Sequence, residues 1–146
     1  MCIRDRMSAG RGVMHSEFNP LPDTETHMLQ IWIEPNVTGI APEYEERSFS
    51  DAQKRGRLQA LVSPDGEDGS MKIHQDARLY GGLFDGAESA TLALAAGRRA
   101  WVHVARGSVT VNGAELSAGD AVAITDDTRV ELSGGKNAEV LVFDLA

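Results

Sequence analysis

The sequence predicts an all-β protein, built as a sandwich or barrel of short strands. Apolar residues fall in short runs bounded by Gly, Pro, Asn and Asp, and 15 of the 146 residues are glycine. Helical periodicity is nearly absent: only Ser50–Arg55, where Ser50 or Asp51 can cap a single turn, is expected to be helical. Many short strands separated by Gly-rich turns are typical of sandwiches and barrels.

The expected strands are spread along the whole chain. They are Gly12–Phe18, Met28–Glu34, Leu58–Val62, Met71–His74, Arg78–Phe84, Ala90–Ala95, Ala100–Ala105, Ser108–Val111, Ala121–Ile124, Arg129–Leu132 and Glu139–Asp144. Alternation of apolar and polar residues, as in Val109 and Val111, predicts strands with one buried face. The last run, Val140 to Leu145, is apolar on both faces, so we expect a central strand that is covered on both sides.

The stretch Arg106–Ile124 narrows the architecture further. Asn112-Gly113 predicts a two-residue hairpin turn, because both residue types accept a positive φ. A short polar strand follows, and Gly119-Asp120 predicts a second turn before another apolar strand. This order of turns and strands is typical of a cupin barrel; the alternative is two unrelated hairpins in some other sandwich.

Composition excludes several classes of protein. With 14 basic and 22 acidic residues the net charge is −8, and no local basic patch offers a surface for direct nucleic-acid binding. No window approaches 18 apolar residues, and the N-terminus has no apolar signal-peptide core. We therefore expect a cytoplasmic protein that neither enters nor binds a membrane. A single cysteine cannot form an internal disulfide.

Residues 1–6, Met-Cys-Ile-Arg-Asp-Arg, are expected to be a non-native leader. The string can be encoded by a transposon end that is used to build sequencing libraries, and the alternative is a disordered native N-terminus. Without it the chain has 12 basic and 21 acidic residues, hence a net charge of 12 − 21 = −9. We then expect the gene to begin upstream, so that the chain is a C-terminal fragment.

The remaining chain divides into three parts. Residues 7–34 are too few for a domain and are expected to be remnant strands from the tail of one. Residues 35–46 hold two prolines, a glycine and an acidic run, so they cannot be regular structure throughout and are expected to be a linker. Residues 47–146 are expected to form a complete β-barrel domain.

His15 and Glu17 are the candidate metal ligands. On a strand, residues two apart project from the same face, roughly 7 Å apart at the backbone, and an ion can sit between them. An imidazole with a carboxylate suits Fe, Mn, Co, Ni, Cu or Zn. A catalytic centre needs three or four protein ligands, however, so the spacing alone favours an ordinary polar pair.

The other histidines and the tryptophans have simpler interpretations. His27 lies in a polar turn and is expected to be solvated, and His74 is expected to make a structural hydrogen bond. His103 faces opposite to its neighbouring valines, and no second ligand type lies at matched spacing. Trp32 and Trp101 are expected to be core or interface aromatics.

Residues 7–146 resemble the C-terminal part of bacterial pirin-like proteins, a family with two cupin domains. The matching stretches, in family order, are AGRGVMHSEFNP, LQIWIEPN, GIAPEYE, SPDG, HQDA, GSVTVNG, AGDA and VLVFDL. The resemblance implies an N-terminal cupin domain with one metal, usually iron, and a metal-free C-terminal cupin domain. The family's ligands are two histidines of an H-P-H-R-G motif, which has no counterpart here, and the two that match His15 and Glu17.

The resemblance also implies a function. Some members cleave flavonols as quercetin 2,3-dioxygenases, so the intact protein is expected to use one divalent metal ion, Fe(II), with a flavonol and dioxygen as substrates and Glu17 as the catalytic base. Eukaryotic members resemble metal-dependent transcriptional co-regulators. The alternative is therefore a non-enzymatic metal or redox sensor that binds a protein partner. With half of the ligands absent, the 146-residue chain itself is expected to be inactive.

Overall fold

The computed structural model describes residues 2–146 and shows an almost entirely β chain. The strands are β1 (Cys2–Ser8), β2 (Glu43–Phe49), β3 (Leu58–Ser63), β4 (Met71–Lys72), β5 (Ala77–Phe84), β6 (Ala90–Ala93), β7 (Arg99–Val111), β8 (Ala114–Ser117), β9 (Ala121–Ile124) and β10 (Arg129–Leu145). One short helix, α1 (Asp51–Lys54), precedes β3, and a 3-10 turn at Glu67–Gly69 precedes β4. Among the described residues, no helix is long and apolar enough to span a membrane.

The two long antiparallel strands β7 and β10 organise the fold. Residues 138–145 of β10 pair with β5 on one side and with the first half of β7 on the other, while residues 129–132 pair with β6. The register of β7 and β10 shifts three times between Ser133 and Val140, where bulges allow both strands to bend. The two halves of the bent pair form two packed layers, to which β9 and β8 add at successive positions along β7.

The apolar side chains form two clusters. They lie on opposite faces of the layer that contains β5, residues 138–145 of β10 and the first half of β7. The main core consists of Phe84, Leu94, Ala100, Val102, Val104, Val109, Val111, Ile124, Val130, Leu132, Ala138, Val140 and Val142. The second cluster consists of Phe49, Leu61, Val62, Met71, Leu79 and Leu141. Because Val140 and Val142 enter one cluster and Leu141 enters the other, the prediction of a central strand that is covered on both faces is confirmed.

The sheet of the described residues is not closed into a complete barrel, and its open arrangement is consistent with a cupin β-sandwich. The hydrogen-bonded path runs β4-β3-β5-β10-β7-β8, with β6 attached to β10 and β9 attached to β7, and it stays open. Closure would require the terminal strands to pair with each other, and β4 pairs with β3 alone. Segments expected as separate strands are also joined into β7 and into β10, because bulges bend a strand without ending it.

The two turns predicted from dipeptides are confirmed. Asn112 and Gly113 have φ values of 47° and 86° and join β7 to β8, with Val111 paired to Ala114. Gly119, with φ of 92°, forms the second turn, closed by a hydrogen bond from the Asp120 amide to the Ser117 carbonyl at 2.9 Å.

The predicted strands at Gly12–Phe18 and Met28–Glu34 do not form. A strand needs a partner for its backbone hydrogen bonds, and the described residues provide none for these segments. Their large side chains lie exposed instead; Trp32 is 87% exposed and so is not a core residue.

The N-terminal strand β1 lies partly in the expected leader. It pairs along its whole length with β2, which starts at Glu43 inside the expected linker. Residues 2–6 therefore lie in a strand, and so do residues 43–46 at the end of the expected linker. The expectation that residues 1–6 are non-native stays a prediction, and Met1 lies outside the described residues.

The predicted helix is present as the single turn α1. It begins after Ser50, whose backbone N–H donates to Gln53 Oε1 at 2.8 Å. This hydrogen bond gives a partner to a backbone amide at the start of the helix. Its last residue, Lys54, is buried, and its Nζ has no hydrogen-bond partner within the described part of the chain. The nearest recorded charge is Asp51 Oδ1 at 3.6 Å, on an exposed side chain.

Replacing Lys54 with methionine is expected to stabilise the fold. The change keeps the apolar stem and removes an ammonium group that lacks a hydrogen bond, so the free energy of unfolding should rise by roughly 1–3 kcal/mol. Urea unfolding followed by circular dichroism measures it. Lys72→Met, at an exposed position of β4, is the matched control and should leave stability nearly unchanged; a less stable Lys54→Met variant would contradict the prediction.

Candidate metal site

His15 and Glu17 lie close together in the irregular segment between β1 and β2. His15 Nε2 is 3.9 Å from Glu17 Oε1, and the two side chains are 40% and 39% exposed. Although the expected strand is absent, the i, i+2 spacing still brings the two donor groups together. Both groups remain open to solvent and to an incoming ligand.

The donor pair lies near enough to bind one transition-metal ion after a small adjustment of the side chains. Metal–nitrogen and metal–oxygen bonds of about 2.1 Å place two tetrahedral ligands about 3.4 Å apart, slightly closer than the 3.9 Å observed here. Imidazole and carboxylate are ligands for divalent iron, nickel, cobalt and zinc alike. Among residues 2–146, no group of three or more His, Cys, Asp or Glu side chains is arranged to hold an ion, so the pair is at most part of a site.

The other histidines lie apart from this pair. His74 Nε2 is 3.2 Å from Glu43 Oε2, which confirms the expected structural hydrogen bond. His103 is half-buried on the outer face of β7, opposite to the buried Val102 and Val104, as the alternation predicts. His27 is exposed but also bonded, since Arg106 Nε donates to its Nδ1 at 3.1 Å.

Long-range polar contacts hold the irregular segment to the sandwich. Besides the Arg106–His27 bond, Gln75 Nε2 donates to the Glu34 carbonyl at 2.8 Å, and the Asn36 amide donates to the His74 carbonyl at 2.7 Å. These contacts cannot be predicted from the sequence, because no local pattern relates residues that are 79 positions apart. They fix the segment C-terminal to the donor pair.

The 146-residue chain is expected to bind divalent metal only weakly. The pair supplies only two of the three or four protein ligands that structural and catalytic sites use, and both are exposed to solvent. We therefore expect a dissociation constant in the high-micromolar range or larger. Calorimetric titration with Fe(II) under anaerobic conditions, and with Ni(II), measures it. Tight one-to-one binding by this chain would contradict the prediction.

Family models match most of the chain. A model described as "Quercetinase C-terminal cupin domain" matches residues 60–145, and one described as "Pirin" matches residues 4–33, which include His15 and Glu17. These matches agree with the observed β architecture and confirm the predicted cupin fold.

Curated relatives and solved structures agree with the family models. Quercetin 2,3-dioxygenase of Escherichia coli K12 is 43% identical over 139 residues, which is 95% of this chain and 59% of the relative. A pirin-like protein of Caulobacter vibrioides is 36% identical over 141 residues, 96% of this chain and 60% of the relative. The chain thus spans about 59% of the length of the first of these relatives.

Two solved structures of the Escherichia coli protein YhhW have the same fold. One superposes with a TM-score of 0.73 at 41% identity, covering 79% of this chain and 48% of that one. The other, bacterial pirin YhhW in complex with nickel(II), has a TM-score of 0.69 at 40% identity, covering 76% and 47% of the two chains.

Proposed function

The chain belongs to the pirin family, and on that premise we propose that it is the C-terminal part of a metal-dependent flavonol 2,3-dioxygenase. The observation that carries the proposal is the pairing of His15 and Glu17 at 3.9 Å, inside the segment that the pirin model matches. Residues 7–34 then belong to a metal-binding domain, and residues 47–146 form a metal-free cupin domain. Two further histidine ligands come from the part of the longer relatives that this chain does not span.

The proposed roles follow from the chemistry of the two side chains. A divalent ion such as Fe(II) supplies Lewis acidity, which makes a hydroxyl bound beside it easier to deprotonate. His15 contributes a neutral nitrogen ligand. Glu17 would accept the 3-hydroxyl proton of the flavonol with a carboxylate oxygen that does not bind the ion. The substrates are a flavonol such as quercetin and dioxygen, and the expected location is the cytoplasm.

Quercetin turnover tests this function. The chain is joined to the upstream segment of its Escherichia coli relative, loaded with Fe(II) or Ni(II), and supplied with oxygen while the quercetin absorbance is followed. We expect turnover well above that of the free metal. A chelator should abolish it, and the 146-residue chain alone should show none. Turnover no faster than with free metal, for either ion, would overturn the proposal.

A further inference from the structure

A single side-chain hydrogen bond joins the segment that carries the donor pair to the sandwich. Residues 13–33 contain His15 and Glu17, and within residues 2–146 their recorded hydrogen bonds and ion pairs stay inside the segment except at His27. There Arg106 Nε of β7 donates to His27 Nδ1 at 3.1 Å. This contact, here called the His27–Arg106 contact, therefore positions the segment against the sandwich.

The His27–Arg106 contact requires a neutral imidazole. A neutral histidine has one ring nitrogen that donates and one that accepts, whereas a protonated histidine has two donors and no acceptor. Because the guanidinium of Arg106 can only donate, His27 Nδ1 must be the accepting nitrogen, and the ring hydrogen lies on Nε2. A proton and Arg106 thus compete for the same nitrogen atom.

The charged side chains around the contact would repel a protonated His27 held in the same place. Arg106 lies opposite Glu139 of β10, and its Nε is 3.8 Å from Glu139 Oε2. The other oxygen of this carboxylate accepts a hydrogen bond from Arg4 of β1 at 3.0 Å. Glu139 therefore faces two guanidinium groups, and a third positive charge beside them would not be balanced.

We propose that the His27–Arg106 contact is a pH-sensitive attachment, and that protonation of His27 releases residues 13–33 from the sandwich. Imidazole groups change their charge between about pH 8 and 5, so the release occurs in that range. Release moves His15 and Glu17 away from the position in which they meet the remaining metal ligands, and so lowers metal affinity. This consequence rests on the proposed function, whereas the attachment itself does not.

NMR relaxation of the 146-residue chain tests the release without any metal. Order parameters of the backbone amides within residues 15–30 are measured at about pH 7.5 and about pH 5.5, with the amides of β10 as the reference in the same spectra. The order parameters of the segment should fall by about 0.2 at the lower pH, roughly the difference between ordered and flexible backbone, while those of β10 stay unchanged. The imidazole resonances of His27 report its protonation over the same range.

Substitutions at the contact separate its loss from other effects of pH. His27→Asn keeps an acceptor near the position of Nδ1 but cannot gain a proton, so the segment should stay attached at both pH values. Arg106→Met removes the donor, so the segment should be released at both. The side chain of Arg106 is 59% exposed, and Glu139 keeps its bond from Arg4, so this variant should still fold.

Arg129→Met and His74→Gln are the matched controls. Arg129 is an exposed arginine of β10 that pairs with Glu131, and His74 is a histidine that contacts a different carboxylate, Glu43. Neither residue contacts His27, so both variants should keep the pH response of the unaltered chain.

Three results would contradict the inference. They are order parameters of residues 15–30 that do not change with pH, a pH response that persists in His27→Asn, and a segment in Arg106→Met that is as ordered as in the unaltered chain at the higher pH. The first would also be seen if protonated His27 paired with Glu139, in which case protonation would not release the segment.

Nickel titration at neutral pH tests the consequence in the protein that contains the upstream segment. Arg106→Met should weaken Ni(II) binding by about fivefold, the effect of losing one hydrogen bond, and Arg129→Met by less than about twofold. Equal affinities of the two variants would remove the contact from metal binding. Absent quercetin turnover would overturn the proposed function alone, because the NMR measurement involves neither metal nor flavonol.

Discussion

Glu17→Gln should lower quercetin turnover by about 100-fold or more in the Fe(II)-loaded protein that contains the upstream segment. Glutamine keeps the size and shape of the side chain but cannot accept the 3-hydroxyl proton, and it is a poorer metal ligand than a carboxylate. His15→Ala should cause a loss at least as large, because it removes a nitrogen ligand outright. Quercetin absorbance under saturating oxygen measures the rate, and metal content per protein separates loss of the ion from loss of the base.

Glu25→Gln is the matched control for these variants. Glu25 is an exposed carboxylate in the same irregular segment, and no proposed role falls on it, so its variant should keep turnover within about twofold of the unaltered protein. Full activity of Glu17→Gln with a full complement of metal would remove Glu17 from the reaction. It would leave a metal-dependent activity that uses another base.

Gly107→Ala should destabilise the sandwich by about 3 kcal/mol or more. Gly107 lies in β7 beside the bulges of β10, with φ of 69°, and a Cβ atom there would lie 2.3 Å from the carbonyl oxygens of Lys136 and Asn137. These are backbone atoms of the central strand, so they cannot move aside without breaking the pairing of β7 with β10. The urea concentration at the unfolding midpoint measures the loss.

Gly113→Ala separates the close contact from the backbone conformation. Gly113 has φ of 86°, but a Cβ atom there would meet no other atom within 4 Å. The Gly113→Ala variant should therefore lose only the energy needed to hold alanine in a left-handed conformation, which lowers the free energy of unfolding by about 1 kcal/mol. Equal destabilisation by the two variants would show that the approach of β10 to Gly107 does not limit stability.

Local rules predicted the features of the fold that depend on neighbouring residues. The Asn112-Gly113 turn follows from the preference of both residues for a positive φ, and the helical turn α1 follows from Ser50 and the polar residues after it. The burial of both faces of Val140 to Leu145 follows from an uninterrupted apolar run.

The candidate site was predictable in part. The i, i+2 spacing of His15 and Glu17 was enough to expect two donors side by side, and the structure brings them together without the expected strand. The strands around them were not predictable in this way, because alternation shows only that a segment can pair and not that a partner strand is present. For that reason Gly12–Phe18 satisfies the pattern and remains irregular.

The sequence by itself determined the β class, the turns, the family and the closeness of His15 and Glu17, since each depends on residue types at short separations. The tertiary structure alone decided that β7 and β10 bend into an open sandwich, that Gly107 faces the carbonyl groups of β10, and that Arg106 contacts His27. These features bring together residues that lie far apart in the chain. Their energies come from contacts that exist only after the strands have paired, so no local pattern contains them.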